Sequence, residues 1–236
     1  MQSVSIILPA YNEAHEIKEK VLALLDYLKQ LDNYSFNVFV VNDGSKDNTS
    51  EIVKSLDNAT LIEYQPNKGK GYAVKEGLKA SLNSDYAVFM DVDLATDLSA
   101  LPVLLDKLNE YDMVIGSRYD KESNIVIKQP FIRRVISRCS HPIIKMMFLF
   151  KLKDTQCGFK GYRKDLAKVI VEKSKMDGFS FDVEHLYISK LRDYKYCSIP
   201  VTWRNGKESK VRAFSSSFRF FGDLFKIKRK KKWYKQ

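Results

Sequence analysis

Short apolar segments alternate with stretches of helical periodicity along the first half of the chain. The apolar segments lie at 4–8, 36–41, 59–64, 86–90 and 113–115. A repeated strand–helix–strand order favours a mostly parallel sheet that is covered by helices on both faces. The sequence therefore predicts an α/β fold. In such sheets ligands bind beyond the carboxyl ends of the strands.

The pattern changes beyond residue 116. We expect a helical stretch at 131–150, a short strand or loop at 155–161, helices at 164–173 and 181–192, and a strand at 196–201. In the first half, Asn12 is the expected N-cap of the first helix. His15, His141 and His185 do not recur at metal-ligand spacing, so we expect them to be surface or core residues.

Positive charge is concentrated at the C-terminal end. The formal net charge of the 236 residues is +11, and residues 205–236 carry +9 of it. Apolar side chains lie near helical spacing ahead of a Lys/Arg run, at Phe214, Phe218, Phe221, Leu224, Phe225 and Ile227, with Trp233 and Tyr234 beyond. This predicts an amphipathic basic helix on an anionic membrane surface. The alternative is a helix that packs on the core and ends in a frayed basic segment.

Other features of the sequence limit its location and partners. Three cysteines without a CxxC pair support neither a disulfide framework nor a zinc site, and favour a reducing compartment. The beginning of the chain lacks a signal-peptide pattern, and no apolar run approaches the roughly 20 residues of a spanning helix. No nucleic-acid-binding motif accompanies the basic charge. We therefore expect a cytoplasmic protein that is peripheral on the cytoplasmic face of a membrane and binds no nucleic acid.

Polar residues follow three of the first five strands. Glu13 comes after the first strand, Asp43 ends the second, and Asp91 and Asp93 follow the fourth. The ends of these strands share one edge of a parallel sheet, so we expect the four carboxylates to meet at one ligand. The alternative for Asp43, beside a glycine, is ordinary turn chemistry.

The acidic cluster indicates the chemistry of that ligand. Carboxylates without His or Cys suit Mg²⁺ or Mn²⁺, which complete their coordination with phosphate oxygens and water. A diphosphate is therefore the expected ligand. The segment NKGKG at 67–71 opens a helix, where backbone N–H groups and two lysines could hold an anion. The P-loop pattern and a GxGxxG after the first strand are both absent, which argues against a dinucleotide-dependent dehydrogenase.

Motifs along nearly the whole chain resemble those of family 2 glycosyltransferases, which have the Rossmann-like architecture called GT-A. The motifs are PAYNE at 9–13, VVNDGSKDNT at 40–49, NKGKGYAVKEG at 67–77, DVDLATD at 91–97, GSR at 116–118, DTQCGFKGYRK at 154–164, FSFDVE at 179–184 and WRNGKESKVR at 203–212. The later motifs most resemble dolichyl-phosphate β-glucosyltransferases and, more loosely, dolichyl-phosphate mannosyltransferases. The resemblance implies a GT-A domain at 1–213, followed by the basic amphipathic tail at 214–236.

The resemblance also implies roles for individual residues. The nucleotide sugar would be bound by Pro9, Ala10, Tyr11, Glu13, Asp43, Lys70, Asp91, Val92 and Asp93. Asp91 and Asp93 would be the DxD pair that holds the metal. The acceptor phosphate would be bound by Arg134, Ser137, Arg138 and Lys160, and the reaction would depend on Asp93, Arg118, Asp182 and Glu184. Leu94 departs from the pattern, because this subfamily usually has a small residue there.

The type of acceptor decides which groups the reaction needs. A metal ion with Lys or Arg stabilises the leaving diphosphate in either case. A hydroxyl acceptor also needs a general base, for which Asp182 and Glu184 are candidates. A phosphate acceptor is already anionic and mainly needs cations that position it.

The function expected from the sequence is inverting transfer of a hexose, glucose from UDP-glucose, to a polyprenyl phosphate. Two alternatives stay open. The first is a transferase that acts on a soluble glycan or polyol hydroxyl with a carboxylate base. The second is a non-catalytic peripheral membrane scaffold. Nucleotidyl transfer is disfavoured because no Gly-rich activating loop lies near the N-terminus.

Overall fold

The computed structural model describes residues 1–127, 141–204 and 213–236. The strands are β1 (Gln2–Ala10), β2 (Tyr34–Asp43), β3 (Thr60–Tyr64), β4 (Tyr86–Met90), β5 (Met113–Ser117), β6 (Asn124–Ile127), β7 (Phe159–Arg163), β8 (Tyr196–Pro200) and β9 (Thr202–Arg204). The helices are α1 (Ile17–Leu28), α2 (Thr49–Lys54), α3 (Lys70–Ala80), α4 (Ala100–Lys107), α5 (residues 141–148), α6 (Lys164–Lys173), α7 (Phe181–Leu191), α8 (Ala213–Arg229) and α9 (Lys231–Lys235).

Seven strands form the central sheet in the order β3-β2-β1-β4-β7-β5-β8. All neighbouring pairs are parallel except the two that involve β7, which runs antiparallel between β4 and β5. Every residue of β4 and β5 is buried, so helices cover both faces of the sheet there. The predicted mostly parallel α/β sheet is confirmed.

The first helix begins later than the sequence predicted. Asn12 was expected as its N-cap, but α1 begins at Ile17 and its N-cap residue is Glu16. Asn12 instead adopts a left-handed backbone conformation with φ of 54°. Its side-chain carbonyl accepts a hydrogen bond from the backbone N–H of Lys46 at 2.8 Å. Asn12 therefore ties the loop after β1 to the loop after β2.

Strand β7 replaces the short strand or loop that was expected at 155–161. Its register pairs Phe159 with Met90 and Lys160 with both Phe89 and Ile115. The start of β7 therefore lies beside the carboxyl end of β4. Strands β6 and β9 form a second, two-stranded sheet, which was not predicted from the sequence. This sheet lies next to the segment after β4, because the backbone N–H of Arg204 donates to the carbonyl of Ala95 at 2.7 Å.

The apolar face of the C-terminal segment packs on the body of the protein. Leu224, Ile227 and Tyr234 are fully buried, whereas the side chain of Phe225 is 64% exposed. The side chains of Phe214 and Phe218 lie outside the described residues. This arrangement agrees with the alternative of a helix packed on the core, and the expected membrane-facing role is wrong for Leu224 and Ile227.

Two further observations bear on the tail. The Trp233 indole N–H donates to the carbonyl of Lys173 at 3.0 Å, and Ser180 Oγ donates to Asp223 at 3.1 Å.

The division of the chain at residue 213 stays a prediction. Among the described residues, no helix is both long enough and apolar enough to span a bilayer.

Two adjacent tail residues provide a test of this packing. We expect Leu224→Ala to lower the free energy of unfolding by about 2–4 kcal/mol, because it leaves a cavity in the core. Phe225→Ala should change it by less than about 0.5 kcal/mol, because that side chain is mostly in water. Urea unfolding of the two variants measures the difference. Equal effects of the two substitutions would contradict the packing of α8.

His185 is a buried histidine on α7 in the core of the protein. Its Nδ1 lies 3.1 Å from the hydroxyl of Tyr162, and its ring packs edge-on against Phe181. Burial, reinforced by the positive charges of Lys160 and Lys75, lowers the pKa of His185 to about 3. The folded protein therefore keeps this imidazole neutral well below neutral pH.

The lowered pKa predicts acid sensitivity. Between pH 6.5 and about 3, the unfolded chain binds a proton at His185 that the folded protein does not. The contribution of His185 to the free energy of unfolding is therefore fully present above pH 6.5 and is lost as the pH falls towards 3. One such group can change the free energy of unfolding by at most about 1.4 kcal/mol per pH unit. His185→Gln should reduce the pH slope of the unfolding free energy. Identical slopes for wild type and His185→Gln would show that the prediction is wrong.

Candidate functional site

The carboxyl ends of β1, β2 and β4 lie at one edge of the sheet. The register pairs Ala10 with Asn42 across β1 and β2, and Ile7 with Phe89 across β1 and β4. The segment after each strand therefore reaches the same rim, as the sequence predicted for parallel neighbours. The residues at this rim differ in their exposure and in whether their polar atoms already have hydrogen-bond partners.

Asp91 is held at the rim by contacts from two directions. Its backbone N–H donates to the carbonyl of Gly158 at 3.0 Å, and its carboxylate forms an ion pair with the Lys70 ammonium at the start of α3. A Cβ atom at position 158 would lie 2.0 Å from Oδ2 of Asp91. Gly158 thus provides the space that the Asp91 carboxylate fills. The sequence analysis missed this contact, because the two residues are 67 positions apart.

Asp93 lies beside Asp91 in the turn after β4. Its Oδ1 accepts a hydrogen bond from the backbone N–H of Ala95 at 3.0 Å. Burial raises the pKa of Asp93, and the negative charge of Asp91 raises it further. Leu94, which lies between Asp93 and Ala95, has a φ of 51°. A left-handed leucine costs about 1–2 kcal/mol, so this turn stores strain beside the two carboxylates.

The loop after β1 presents an exposed aromatic side chain. Tyr11 is 38% exposed at the rim, and Pro9 is half-buried, whereas Ala10 is buried. The backbone N–H of Glu13 donates to Thr49 Oγ1 at 2.9 Å, which anchors the loop to α2.

The same loop brings together three side chains that the sequence analysis did not group. One ligand atom each from Glu13, His15 and Glu16 lies within 4.8 Å of the others. The spacing of the histidines along the chain gave no signal for this cluster. The Val92 side chain is buried in the core, and the expected contact of Val92 with the nucleotide sugar stays a prediction.

Asp43 is buried rather than directed towards a ligand. It was expected to contact the nucleotide, but its two oxygens accept hydrogen bonds from the Tyr64 hydroxyl, the Asn67 amide and the backbone N–H groups of Lys68 and Gly69, at 2.8–3.2 Å. Two N–H groups that were predicted to bind an anion at 67–71 are therefore taken by this carboxylate. Asp43 fixes the loop that leads into α3.

Arg118 forms a buried, two-point ion pair. Its Nε donates to Asp154 Oδ2 at 2.7 Å and its Nη2 donates to Asp154 Oδ1 at 3.0 Å. The Asp154 side chain is 2% exposed. Burial would raise the pKa of Asp154, but the guanidinium charge and its hydrogen bonds lower it overall. The sequence assigned Arg118 to the reaction. In the structure this ion pair joins the end of β5 to the segment before β7, and the role of Arg118 in the reaction stays a prediction.

Lys160 and Asp182 form a second buried ion pair. Lys160 is fully buried, and its ammonium contacts the Asp182 carboxylate and the carbonyl of Cys157, the latter at 2.6 Å. Lys160 was expected to bind the acceptor phosphate. In this structure its ammonium is enclosed by these two partners, and the expected contact with phosphate stays a prediction. Burial raises the pKa of Asp182, although Lys160 and Lys70 oppose the shift.

Glu184 also differs from the expectation that it acts as a base. It is fully buried, and its carboxylate accepts hydrogen bonds from the backbone N–H groups of Lys175 and Met176 at 2.8 and 2.9 Å and from the hydroxyl of Tyr234. Burial raises its pKa, and these donors oppose the shift. Glu184 therefore holds the tail and the 174–178 loop against α7 and is not available as a base. Arg134, Ser137 and Arg138 lie outside the described residues.

Comparison with known proteins agrees with this architecture. Residues 5–171 match the family model described as Glycosyl transferase family 2. The match covers most of the chain, so the protein belongs to family 2 of the glycosyltransferases. It is therefore an enzyme of the class that the sequence motifs indicated.

The curated relatives are more specific in name. The chain is 30% identical, over 95% of its length and 73% of the relative's, to a dolichyl-phosphate β-glucosyltransferase of Dictyostelium discoideum. It is 32% identical, over 95% of its length and 72% of the relative's, to one of Trichomonas vaginalis. A human dolichyl-phosphate β-glucosyltransferase is 28% identical over 96% of this chain and 75% of its own.

Solved structures share the fold. Glucosyl-3-phosphoglycerate synthase from Mycobacterium tuberculosis, in complex with Mn²⁺, UDP-glucose and phosphoglyceric acid, has a TM-score of 0.73 with this chain. The match covers 97% of this chain and 80% of that one, at 16% identity. At this identity the likeness shows the fold alone, and it confirms the predicted GT-A architecture.

The contact between Gly158 and Asp91 predicts a sensitive position. Gly158→Ala should displace the Asp91 carboxylate and lower glycosyl transfer from a nucleotide sugar by about 100-fold, since a shift of about 1 Å at a reacting centre has effects of that size. Gly178→Ala is the matched control, because a Cβ there meets nothing within 4 Å. Steady-state transfer rates make the comparison. Unchanged turnover in Gly158→Ala would mean that the position of Asp91 does not matter.

Proposed function

We propose that this enzyme transfers glucose from UDP-glucose to a polyprenyl phosphate at a membrane surface, on its cytoplasmic face, with inversion at the transferred carbon and with Mg²⁺ or Mn²⁺. The observation that carries the proposal is the pair Asp91 and Asp93 at the carboxyl end of β4, facing Lys70 at the start of α3. The dolichyl-phosphate β-glucosyltransferases among the relatives, matched over 95% of this chain, support the sugar and the acceptor.

The residues at the rim fit a hard divalent cation. Asp91 and Asp93 supply carboxylate oxygens, which Mg²⁺ and Mn²⁺ prefer. Burial raises the pKa of Asp93 and the negative charge of Asp91 raises it further, and a cation bound at these carboxylates would offset that repulsion. When bound, the ion would stabilise the charge of the leaving diphosphate.

The protein's own groups have separate tasks in this reaction. The Lys70 ammonium, a quarter exposed beside Asp91, supplies a positive charge where the diphosphate is expected. Tyr11 offers an exposed ring at the same rim for contact with the nucleotide. Asp43 keeps the 67–69 loop in place and thereby sets the position from which Lys70 extends.

The state of the candidate bases favours a phosphate acceptor. Asp182 is paired with Lys160, and Glu184 is enclosed by three donors, so neither is placed to accept a proton from a hydroxyl. An acceptor phosphate is already anionic near neutral pH and needs no such base. Binding of this phosphate by Arg134, Ser137 and Arg138 stays a prediction.

A soluble acceptor is the second candidate. The observation in its favour is the fold of the mycobacterial glucosyl-3-phosphoglycerate synthase, which was crystallised with phosphoglyceric acid. Phosphoglyceric acid is a small phosphorylated molecule rather than a lipid. A glycan or polyol hydroxyl as acceptor would need a base other than Asp182 or Glu184.

An assay of transfer separates these candidates. With Mn²⁺ and labelled UDP-glucose, we expect label on polyprenyl phosphate in anionic vesicles at least about tenfold faster than on 3-phosphoglycerate or free saccharides. Asp93→Asn should lower this rate by about 100-fold or more, because electrostatic groups at a leaving diphosphate have effects of that size. Asp97→Asn is the matched control, since Asp97 belongs to the same motif but its Oδ1 accepts from Ser99.

Three outcomes would count against the proposal. Faster transfer to a soluble compound would select the second candidate. Full turnover in Asp93→Asn, with unchanged Mn²⁺ dependence, would remove the DxD assignment. The absence of both nucleotide binding and transfer would favour the non-catalytic scaffold.

A further inference from the structure

The cation site proposed above already has an internal occupant. The Lys70 ammonium forms an ion pair with Oδ1 of Asp91, and both side chains are partly accessible, at 26% and 33% exposure. The same ammonium lies 5.4 Å from the centre of the Phe89 ring, which covers it from below. A metal ion that approaches Asp91 therefore meets a positive charge in its place.

The backbone on either side of Lys70 is fixed. A Cβ at Gly69 would lie 2.5 Å from the carbonyl oxygen of Asp177, and one at Gly71 would lie 2.4 Å from that of Met176. The backbone N–H of Tyr72 donates to the same Asp177 carbonyl at 3.1 Å. Departure of Lys70 from Asp91 thus needs only rotation of its side chain, while the start of α3 stays in place.

A second carboxylate lies near Lys70. The negative charge of Asp182 acts on Lys70 in addition to that of Asp91. Asp182 is itself held by the fully buried Lys160. The Lys160–Asp182 pair is therefore enclosed, whereas the Lys70–Asp91 pair is partly exposed and can open.

We propose that Lys70 competes with the divalent cation for Asp91, so that the free enzyme binds the metal weakly and the nucleotide diphosphate must enter with it. The inference rests on the cation site of the proposed function. Two cations at one carboxylate repel each other strongly in a partly buried site. The diphosphate supplies the negative charge that lets Lys70 leave Asp91 and contact phosphate oxygens instead. By linkage, the nucleotide then strengthens metal binding, and the metal strengthens nucleotide binding by the same factor.

Mn²⁺ binding to the full chain tests this competition without sugar or acceptor. Free Mn²⁺ is followed by electron paramagnetic resonance, with and without UDP. We expect Lys70→Met to bind Mn²⁺ in the absence of UDP at least about tenfold more tightly than wild type, because one charge-assisted pair is removed. UDP should tighten Mn²⁺ binding at least about tenfold in wild type and clearly less in Lys70→Met.

Three variants control the experiment. Lys70→Arg keeps the cation and should stay weak. Lys68→Met removes a neighbouring lysine, which contacts Tyr64 and Tyr72 rather than Asp91, and its Mn²⁺ affinity should equal that of wild type. Adding Asp91→Asn to Lys70→Met should abolish the gain. If Lys70→Met does not fold, as judged by thermal melting, Lys70→Gln provides the same comparison.

The inference is overturned if Lys70→Met or Lys70→Gln binds Mn²⁺ no more tightly than wild type. It is equally overturned if Lys68→Met gives the same gain, or if the gain survives Asp91→Asn. Because no sugar is transferred in these measurements, failure of the proposed reaction leaves their result intact. Conversely, confirmed glucose transfer with unchanged Mn²⁺ affinity in the Lys70 variants removes only this inference.

Discussion

The antiparallel pairing of β7 between β4 and β5 is the constraint on which the site depends. Its register places Phe159 beside Met90, so that Gly158 lies against the Asp91 carboxylate. The residue after Phe159, Lys160, points to the buried Asp182 of α7. A shift of this register by one residue would turn every side chain of β7 to the opposite face and remove both contacts.

Buried charge pairs hold the rim together, and they account for several residues that the sequence assigned to chemistry. Arg118 is paired with Asp154, and Lys160 with Asp182. Burial of an unpaired charge costs several kcal/mol, so each partner is needed once the other is enclosed. Motif residues near an active site therefore divide into groups that face the substrate and groups that keep the first ones in position. Asp91, Asp93, Lys70 and Tyr11 remain at the rim as candidates for the first role.

Much of the fold followed from periodicity. The predicted segments at 36–41 and 164–173 correspond to β2 and α6, because a continuous apolar run and a helical repeat reflect local burial. The two-stranded sheet of β6 and β9 was missed, since its partners are about 80 residues apart and β9 is only three residues long. The amphipathic tail was recognised as helical, but its apolar face had two possible partners. Packing against the core, with Leu224 and Tyr234 buried, was a matter of tertiary structure.

The sequence by itself determined the strand–helix alternation, the family, and the position of the segments after β1, β2 and β4 at one edge of the sheet, because parallel strands bring their carboxyl ends to one edge. Only the tertiary structure decided which polar groups are available there. Asp43 and Glu184 have the same side-chain chemistry as residues that bind ligands, yet their oxygens are occupied by donors from distant segments. Availability depends on burial and hydrogen-bond partners, and both are set by contacts between residues far apart in the chain.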